Sequence, residues 1–499
     1  MRLLLQLVFL ASAAAHTTLP ECLLAASVPV LTPSSSSPAS AGNFTTAILP
    51  FNLRLPYVPV ALAVPTTVLQ VSAAVVCAGH YGAKVAARSG GHSYAAFGLG
   101  GQNGSLVVDM KRFRTLEVDA ETQVATVGAG RRLGDIATYL FESAGRALPH
   151  GLCPGVGISG HALHGGFGFT SRMWGTTLDT ILSLDVVLAN GTFRRVSSTQ
   201  HADLFWALRG AGSSFGLVTS FRFRTFAAPV NGVVYNYTFP SSTSPGAQAA
   251  IFAATQGFAH SAPSNLAVRL FLRTPAIELG PQFFVSGVFW GSRAGFDSTI
   301  APLLAAWPAD TVHGVQELPY LDALVSFNNG GQLPQPKEYT EHGTFFAKSV
   351  VTPEALGNAS LASFFGFVAD ATDAPVPWWV IADLYGGANS RISNGDAEGA
   401  SYAGRTAFFT LQLYSISDVA QTGPYPAEGI EFMDALSRSI TEPQGETQFM
   451  AYPNYVDPTY SAEVAHGLYY GEKYERLLSI KRRVDPEMRF WNPQAIGVE

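Results

Sequence analysis

Apolar residues recur with two different spacings along this chain, and each spacing predicts a different element. In residues 133–144 they return every three or four positions, which predicts an amphipathic helix that Gly145 would end. Apolar runs at residues 182–189 and 192–196 flank Asn190-Gly191, a pattern that predicts a hairpin with a two-residue turn. The remaining patterns predict strands at 105–110, 123–128, 217–223, 266–272 and 283–289, and helices at 203–209, 245–258 and 296–306.

The texture of these elements changes near residue 230, and the change predicts the domains. Before it, helices and strands are joined by glycine-rich connections. After it, alternating strands with helical patches between them predict an antiparallel sheet flanked by helices. We therefore expect an α+β protein of two domains, which a length of 499 residues also favours. The expected parts are a leader at 1–15, an N-terminal arm at 16–56, a first domain at 57–229, a second domain at 230–450 and a C-terminal segment at 451–499 that returns to the first domain.

The N-terminus has the pattern of a signal peptide. Arg2 precedes the apolar residues 3–11, and the alanines at 13–15 suit the cleavage site; a buried first helix is the alternative. No later run reaches the roughly 20 apolar residues that span a bilayer. A net charge of -6 without a basic run argues against nucleic acid as a partner. We expect a secreted, soluble, monomeric glycoprotein, with N-glycosylation sequons at Asn43, Asn103, Asn190, Asn236 and Asn358.

The three cysteines divide into a possible pair and a remainder. An oxidising compartment favours one disulfide. A bridge between Cys22, near the mature N-terminus, and Cys77, in the helix-spaced run 68–78, would leave Cys153 alone. A free thiol in a glycine-rich loop of a secreted protein is open to oxidation, and a covalent bond to a cofactor would remove it.

Two glycine-rich stretches, residues 88–94 and 150–168, carry most of the candidate chemistry, and we call them the glycine loops. The first contains His92 and the second contains Cys153. So many glycines indicate backbone pressed against a flat or anionic group. Residues 155–160 match the dinucleotide motif G-x-G-x-x-G, but no strand precedes them, so we reject a Rossmann fold. For the first loop alone, a tight turn with His92 at the surface is an equally good interpretation.

The glycine loops and several later segments together resemble the berberine-bridge-enzyme-like branch of the FAD-linked oxidases. The resemblance rests on residues 87–94, 151–157, 203–212, 215–219, 452–457, 469–471, 485–486 and 491–494. It implies a two-part PCMH-type FAD-binding domain and a substrate domain. It also implies that FAD is bonded covalently at two points, the flavin 8α-methyl carbon to His92 and the C6 atom to Cys153. The further FAD-binding residues that it implies are Arg88, Ser89, Gly90, Gly91, Ser93, Pro154, Gly155, Val156, Gly157, Gly160, His161, Gly165, Gly166, Gly168, Val218 and Asn492.

Within this branch the chain is similar to the secreted fungal oligosaccharide oxidases, through residues 345–349, 383–390, 402–405 and 411–414. Oxidation of a hydroxyl requires a base, and tyrosine, with a pKa of about 10, needs help from a neighbouring carboxylate. A Tyr–Asp pair fills this role in those oxidases, and Tyr455 and Asp383 match it. A half-buried core tyrosine and a turn-capping carboxylate are the alternatives. The substrate-binding candidates are Tyr94, Gln412, Tyr452, Lys348 and Arg405.

Several of these assignments have competing explanations. Lys348 and Arg405 could instead be ordinary ion-paired residues, and Trp378-Trp379 could either bind sugar or divide between core and surface. Related oxidases often have a histidine where Gly404 stands. His161 and His164 lack the further ligands that a metal site needs, so we expect no metal.

The resemblance implies that the enzyme oxidises the reducing-end C1 hydroxyl of oligosaccharides to the lactone while O2 becomes H2O2. Its partners would then be an oligosaccharide and O2, with no nucleic acid and no membrane. Three alternatives stay open: a tailoring oxidase of a secondary metabolite, an oligosaccharide dehydrogenase that uses another acceptor, and a flavin-loaded surface protein with little turnover. The sequence does not choose among gluco-, xylo- and chito-oligosaccharides.

Overall fold

The computed structural model of the chain is a mixed α/β structure. It describes residues 17–33, 44–277, 281–328, 330–336, 341–395 and 398–499, so the expected leader at 1–15 and the sequon at Asn43 lie outside the described residues. Its helices are α1 (Leu19–Ala25), α2 (Val68–His80), α3 (Leu133–Ala144), α4 (Ile158–Leu163), α5 (Ser171–Trp174), α6 (Ala202–Ala211), α7 (Pro245–Ala259), α8 (Arg293–Ala306), α9 (Tyr320–Ser326), α10 (Asn358–Asp370), α11 (Ala427–Thr441), α12 (Ala462–Tyr470) and α13 (Tyr474–Val484). None of these helices is long and apolar enough to cross a membrane.

The first half of the chain forms two larger sheets and a short two-stranded one. Its strands are β1 (Val30–Leu31), β2 (Ala61–Ala63), β3 (Val85–Arg88), β4 (Leu106–Asp109), β5 (Leu116–Val118), β6 (Val124–Gly128), β7 (Arg146–Ala147), β8 (Ile181–Val187), β9 (Phe193–Ser197), β10 (Leu217–Arg224) and β11 (Phe226–Ala227). One sheet has the order β1-β2-β4-β3, with β2 and β3 parallel to β4, and the other is antiparallel with the order β5-β6-β10-β8-β9. The two larger sheets share one apolar core, to which the tail contributes Leu477 and Phe490. The first glycine loop follows directly from β3.

The second half forms one seven-stranded antiparallel sheet in the order β15-β12-β14-β13-β17-β18-β16. Its strands are β12 (Asn231–Thr238), β13 (Leu266–Arg273), β14 (Phe283–Phe289), β15 (Val312–Pro319), β16 (Phe345–Thr352), β17 (Trp378–Leu384) and β18 (Phe409–Ile416). Side chains alternate between the two faces of each strand. Val380 and Leu411 pack with helices α7, α8, α10 and α11 in a second core. Their strand neighbours therefore point the opposite way, towards the glycine loops.

Most of the predicted elements are present, and their ends follow local chemistry. β13 and β14 pair with each other in the expected antiparallel sheet. α3 covers the predicted helix and ends at Gly145, whose φ of 61° is a left-handed conformation that glycine adopts easily. The predicted pairing of Cys22 with Cys77 is confirmed, with the two Cα atoms 5.9 Å apart. This disulfide joins α1 to α2.

The hairpin between β8 and β9 corrects the predicted two-residue turn. The Leu188 N–H donates to Thr192 O at 3.0 Å and the Gly191 N–H donates to Leu188 O at 2.8 Å, so residues 189–191 form a three-residue loop. Of these residues only Gly191 has a positive φ, of 78°. A two-residue turn of the favoured type needs positive φ at both central residues, whereas a three-residue loop needs it at the last one alone.

Arg172 joins the two halves of the chain. It is 1% exposed, and its guanidinium donates to Gly386 O at 3.1 Å, Pro263 O at 2.8 Å, Leu266 O at 2.5 Å and Ala262 O at 3.0 Å. Burial lowers the pKa of Arg172 to about 10, and four carbonyl oxygens compensate for the lost water. Because Leu266 begins β13 and Gly386 follows β17, Arg172 fixes both strands against the segment that follows the second glycine loop.

Candidate active site

A cavity of about 420 Å³ lies where the glycine loops, the seven-stranded sheet and the tail meet. Its volume is that of a small-molecule site. His92 and Cys153 line it from the glycine loops, and Tyr455 lines it from the tail. Arg269, Ile381 and Gln412 line it from the sheet. We call these three residues, together with Asp383, the sheet face.

The two glycine loops contact each other closely through the backbone of Gly90 and Gly157. A Cβ atom on Gly90 would lie under 3.0 Å from the backbone of Gly157, and a Cβ atom on Gly157 would meet Gly90 in the same way. Within the second loop, a Cβ atom on Gly168 would collide with the carbonyl of His150. A larger residue at Gly90 or Gly157 would separate the loops, and one at Gly168 would distort the second loop. The glycines therefore bring His92 and Cys153 to one cavity.

The environment of His92 keeps its imidazole neutral. Burial, followed by the charges of Arg132 and His342, lowers the pKa of His92 to about 3. The Cys153 thiol is exposed to the cavity, yet the surrounding protein and the charge of Glu341 raise its pKa to about 11. At neutral pH the structure therefore presents an uncharged ring and an un-ionised thiol to the same space.

Most of the cofactor-binding candidates line the cavity. Those in its wall, besides His92 and Cys153, are Arg88, Ser89, Gly90, Gly91, Ser93, Val156, Gly157, Gly160, His161, Gly168, Val218 and Asn492. Pro154, Gly155, Gly165 and Gly166 are not among the residues that line the cavity. Arg132 donates a hydrogen bond to the carbonyl of Gly155, and the side chain of Thr177 packs against Gly166. These four residues hold the second loop in shape.

His161 is a neutral acceptor within the second glycine loop. Its Nε2 atom accepts from the Gly151 N–H at 3.0 Å, and burial, with the nearby His150, lowers its pKa to about 3. The carbonyl of His161 accepts from Asn454 Nδ2 at 3.1 Å, which ties this loop to the tail.

On the sheet face, Asp383 is paired with Arg269. β13 and β17 are neighbours in which Arg269 lies opposite Asp383. Arg269 Nε and Nη2 donate to the two carboxylate oxygens at 2.7 and 2.8 Å, a bidentate geometry that is among the stronger ion pairs. Asp383 is 2% exposed, whereas Arg269 reaches the cavity. Any electrostatic effect of the Asp383 carboxylate in the cavity is therefore combined with that of the Arg269 guanidinium.

Tyr455 lies within the electrostatic reach of this ion pair. Burial raises the pKa of Tyr455 above its usual value, Asp383 raises it further, and Arg269 lowers it. Its ring stacks on Tyr94 at 5.9 Å and meets Tyr452 edge-on at 5.0 Å. Asp383, the expected partner of Tyr455, is thus itself paired with Arg269.

Three substrate-binding candidates also line the cavity. Gln412 Nε2 donates to the Tyr94 hydroxyl at 2.8 Å. Tyr452 is used differently, since its hydroxyl accepts from the Gly166 N–H at 2.8 Å and from Asn454 Nδ2 at 3.0 Å. Tyr452 therefore supports the second glycine loop, whereas Tyr94 and Gln412 form a linked polar pair in the wall.

Lys348 and Arg405 do not reach the cavity, which corrects their prediction as substrate-binding residues. Lys348 is 4% exposed and lies behind the tail, where it pairs with Asp457 at 3.2 Å and with Asp434. Arg405 forms a bidentate pair with Asp179. Both are the internally paired cations of the alternative interpretation.

Two further predictions concern aromatic residues. Trp378 is 1% exposed in the second core, while its neighbour Trp379 is half-buried and stacks on Tyr414 at 4.4 Å. The side of β17 that carries the sheet face presents Trp379, Ile381 and Asp383. A Cβ atom on Gly404 would collide with the hydroxyl of Tyr402, so a larger residue there would displace this tyrosine.

The cavity residues that sequence reasoning missed include Arg269 and Phe51. Arg269 is a charged residue within an apolar strand, a visible signal, but its partner in β17 is more than a hundred residues away. Phe51 belongs to the N-terminal arm, which has no periodic pattern. Its ring stacks on His92 with centroids 3.8 Å apart and an interplanar angle of 25°.

The cavity fits the FAD that the resemblance implies. The glycine loops offer backbone where Cβ atoms would fill the space, which suits a pyrophosphate. A histidine ring and a thiol face the same cavity, as two covalent links would require. Gln494 Oε1, from a wall residue, has no hydrogen-bond partner among the described residues, so it is available to a ligand.

Comparison with known proteins gives two family matches. Residues 59–197 match the family described as FAD binding domain, and residues 451–497 match the family described as berberine and berberine like. The xylooligosaccharide oxidase of Thermothelomyces thermophilus is 39% identical, over 97% of this chain and 95% of that protein. The chitooligosaccharide oxidase of Gibberella zeae is 34% identical, over 95% of this chain and 94% of that protein.

A solved structure of glucooligosaccharide oxidase from Acremonium strictum is also similar. It is 31% identical with a TM-score of 0.89, covering 96% of this chain and 98% of that one. That enzyme carries a 6-S-cysteinyl, 8α-N1-histidyl FAD. The agreement in backbone extends over both halves of the chain, so the fold is that of the PCMH-type FAD-binding oxidases.

Proposed function

Because this chain belongs to the berberine-bridge-enzyme-like FAD-linked oxidases and is an FAD-dependent oxidoreductase acting on CH–OH groups, we propose that it oxidises the reducing-end C1 hydroxyl of oligosaccharides to the lactone and reduces O2 to H2O2. The observation that carries this proposal is the position of Tyr455. It lines the cavity that His92 and Cys153 share, and it lies beside the Arg269–Asp383 ion pair.

The glycine loops would hold FAD through covalent bonds to His92 and Cys153. When bound, the flavin accepts the hydride that leaves the sugar carbon. The second link agrees with the cysteine count, since Cys22 and Cys77 are joined and Cys153 is exposed in the cavity. A secreted enzyme cannot recover a lost cofactor, and the Cys22–Cys77 disulfide supports an oxidising compartment.

Tyr455 would remove the proton from the C1 hydroxyl. To act as a base it must be a phenolate, and burial and the negative charge of Asp383, which both raise its pKa, oppose this. Arg269 assists because its positive charge lowers the pKa of Tyr455, and Asp383 holds the guanidinium in place through two hydrogen bonds. Tyr455 thus moves the proton, while Arg269 and Asp383 set how easily it does so.

Gln412 and Tyr94 would orient the sugar through their linked amide and hydroxyl groups. Trp379 supports a substrate longer than one sugar. Trp379 lies four positions before Asp383 on β17, which at the rise of a strand is roughly 13 Å. A half-buried tryptophan at this distance from the catalytic group suits the apolar face of a second ring.

The direct test measures H2O2 release with cello-, malto-, xylo- and chito-oligosaccharides, with a dye acceptor in parallel. We expect H2O2 from at least one series, and product analysis should give the aldonic acid. Turnover with the dye but without H2O2 would replace the oxidase by a dehydrogenase. Activity with none of the four series would refute the proposed substrate class.

A further inference from the structure

The N-terminal arm connects the first glycine loop to the second half of the chain. Residues 50–54 lie between the loop and the start of β16. The Leu53 N–H donates to Gly343 O at 2.8 Å, and the Gly343 N–H donates to Phe51 O at 2.9 Å. Asn52, 1% exposed, donates from Nδ2 to Tyr94 O at 2.7 Å. Residues 50–54 are therefore fixed on both sides, although they belong to none of the named strands.

Phe51 is the residue of the arm that contacts His92. The ring centroids are 3.8 Å apart, and Phe51 also meets Phe345 edge-on at 5.3 Å, which fixes its own orientation. His92 follows Gly90 and Gly91, and glycines give the loop little resistance to backbone rotation. Stacking on Phe51 therefore gives the imidazole a fixed aromatic contact from outside its own loop.

We propose that Phe51 is a positioning residue for the covalent attachment of FAD to His92: it holds the imidazole plane in the orientation from which the ring nitrogen reaches the 8α-methyl carbon. This inference rests on the two-link attachment of the proposed function. The surroundings suit the step, because a neutral imidazole has a lone pair to donate and the pKa of His92 is lowered to about 3. The contact with Phe51 supplies the alignment that neutrality alone does not.

The attachment step balances as follows. A carbon–nitrogen bond forms between the methyl carbon and the ring nitrogen. Two protons leave, one from the methyl group and one from the imidazole. Two electrons remain in the flavin until dioxygen, the acceptor of the proposed function, takes them up with two protons as H2O2. Phe51 takes no part in these transfers, and its effect is on the rate at which the bond forms.

The experiment uses a Cys153→Ser background, in which His92 is the remaining covalent link. Phe51→Ala and Phe51→Leu are compared with the Cys153→Ser parent and with Phe51→Tyr. The measurements are the fraction of flavin that stays on the protein after denaturation, followed over time, and the mass of the His92 peptide. Loss of an aromatic contact of about 0.5–1.5 kcal/mol predicts attachment slower by about 2- to 10-fold, with Phe51→Tyr restoring the parent rate.

Phe44→Leu is the matched control. Phe44 also belongs to the arm, but it is buried with Leu62 and Val107 against the β1-β2-β4-β3 sheet. We expect it to attach flavin at the parent rate. Equal slowing by Phe44→Leu, or parental rates in both Phe51→Ala and Phe51→Leu, would overturn the role of Phe51 while leaving the proposed function intact. A Cys153→Ser parent that carries no covalent flavin would overturn the two-link attachment, and this inference with it.

Discussion

The glycine loops are shaped by close backbone contacts, whereas the sheet face is shaped by contacts between side chains. Gly90 and Gly157 matter because they lack a side chain. Arg269 and Asp383 matter because their side chains meet across two strands. In the proposed function the loops hold the cofactor and the sheet face assists the proton transfer. Substitutions in the two regions should fail in different ways.

The largest effect is expected from Gly157→Ala. The added methyl group would overlap the backbone of Gly90, and overpacking against backbone should cost about 3 kcal/mol or more. We expect loss of bound flavin and a lower melting temperature, measured by absorbance and thermal unfolding. Gly246→Ala is the control, since Gly246 lies in α7 away from the cavity and a Cβ atom there would meet no neighbouring side chain or loop within 4 Å. Full flavin occupancy and an unchanged melting temperature in Gly157→Ala would show that the loops do not need backbone contact.

The next effect is expected from Tyr455→Phe. Loss of the base should slow flavin reduction by about 10²- to 10⁴-fold while flavin stays bound. Stopped-flow measurement of flavin reduction gives the rate directly. Tyr460→Phe, in the same tail segment but beside Lys348, should reduce flavin at the normal rate. An unchanged rate in Tyr455→Phe would remove this residue as the base.

A smaller effect is expected from Arg269→Lys. The lysine keeps the charge near Asp383 but loses the bidentate geometry, so the cation should stabilise the Tyr455 phenolate less well. The pKa of Tyr455 should rise, and because the phenolate fraction at a given pH then falls, flavin reduction should be roughly tenfold slower per unit of that rise. The pH profile of flavin reduction should shift to higher pH, and a slower rate with an unshifted profile would contradict this role.

The smallest effect on catalysis is expected from Lys348→Met. Lys348 lies behind the tail, so KM should stay constant, while the unpaired Asp457 should lower stability by about 3 kcal/mol. Gln412→Leu provides the contrast, because loss of its hydrogen bond to Tyr94 should raise KM by roughly 2- to 10-fold. A raised KM in Lys348→Met would return this residue to the substrate site.

The two regions also differ in how far the sequence predicts them. His92 and Cys153 lie with their glycines in local motifs. Such motifs can be recognised from the sequence without knowing which strands pair. The Arg269–Asp383 pair depends on the register between β13 and β17, which the apolar pattern of either strand does not determine. The same limit explains Lys348, since a shift of one position on β16 decides whether a side chain meets the cavity or the helices.

The errors in local structure have equally specific causes. Asn190-Gly191 predicted a two-residue turn, but Gly191 alone has a positive φ and the loop takes three residues. Phe51 has no signal in the sequence because its partner, His92, lies in another loop and neither has a periodic pattern. Contacts between irregular segments are set by the folded backbone as a whole.

Arg172 has a consequence for how this protein can change. It binds four carbonyl oxygens of the second half of the chain, at residues 262, 263, 266 and 386. Every amino acid carries that oxygen, so the junction makes no demand on the side chains at these positions. A chimera that takes its second half from another oligosaccharide oxidase could keep the same joint, provided that the first half keeps its arginine.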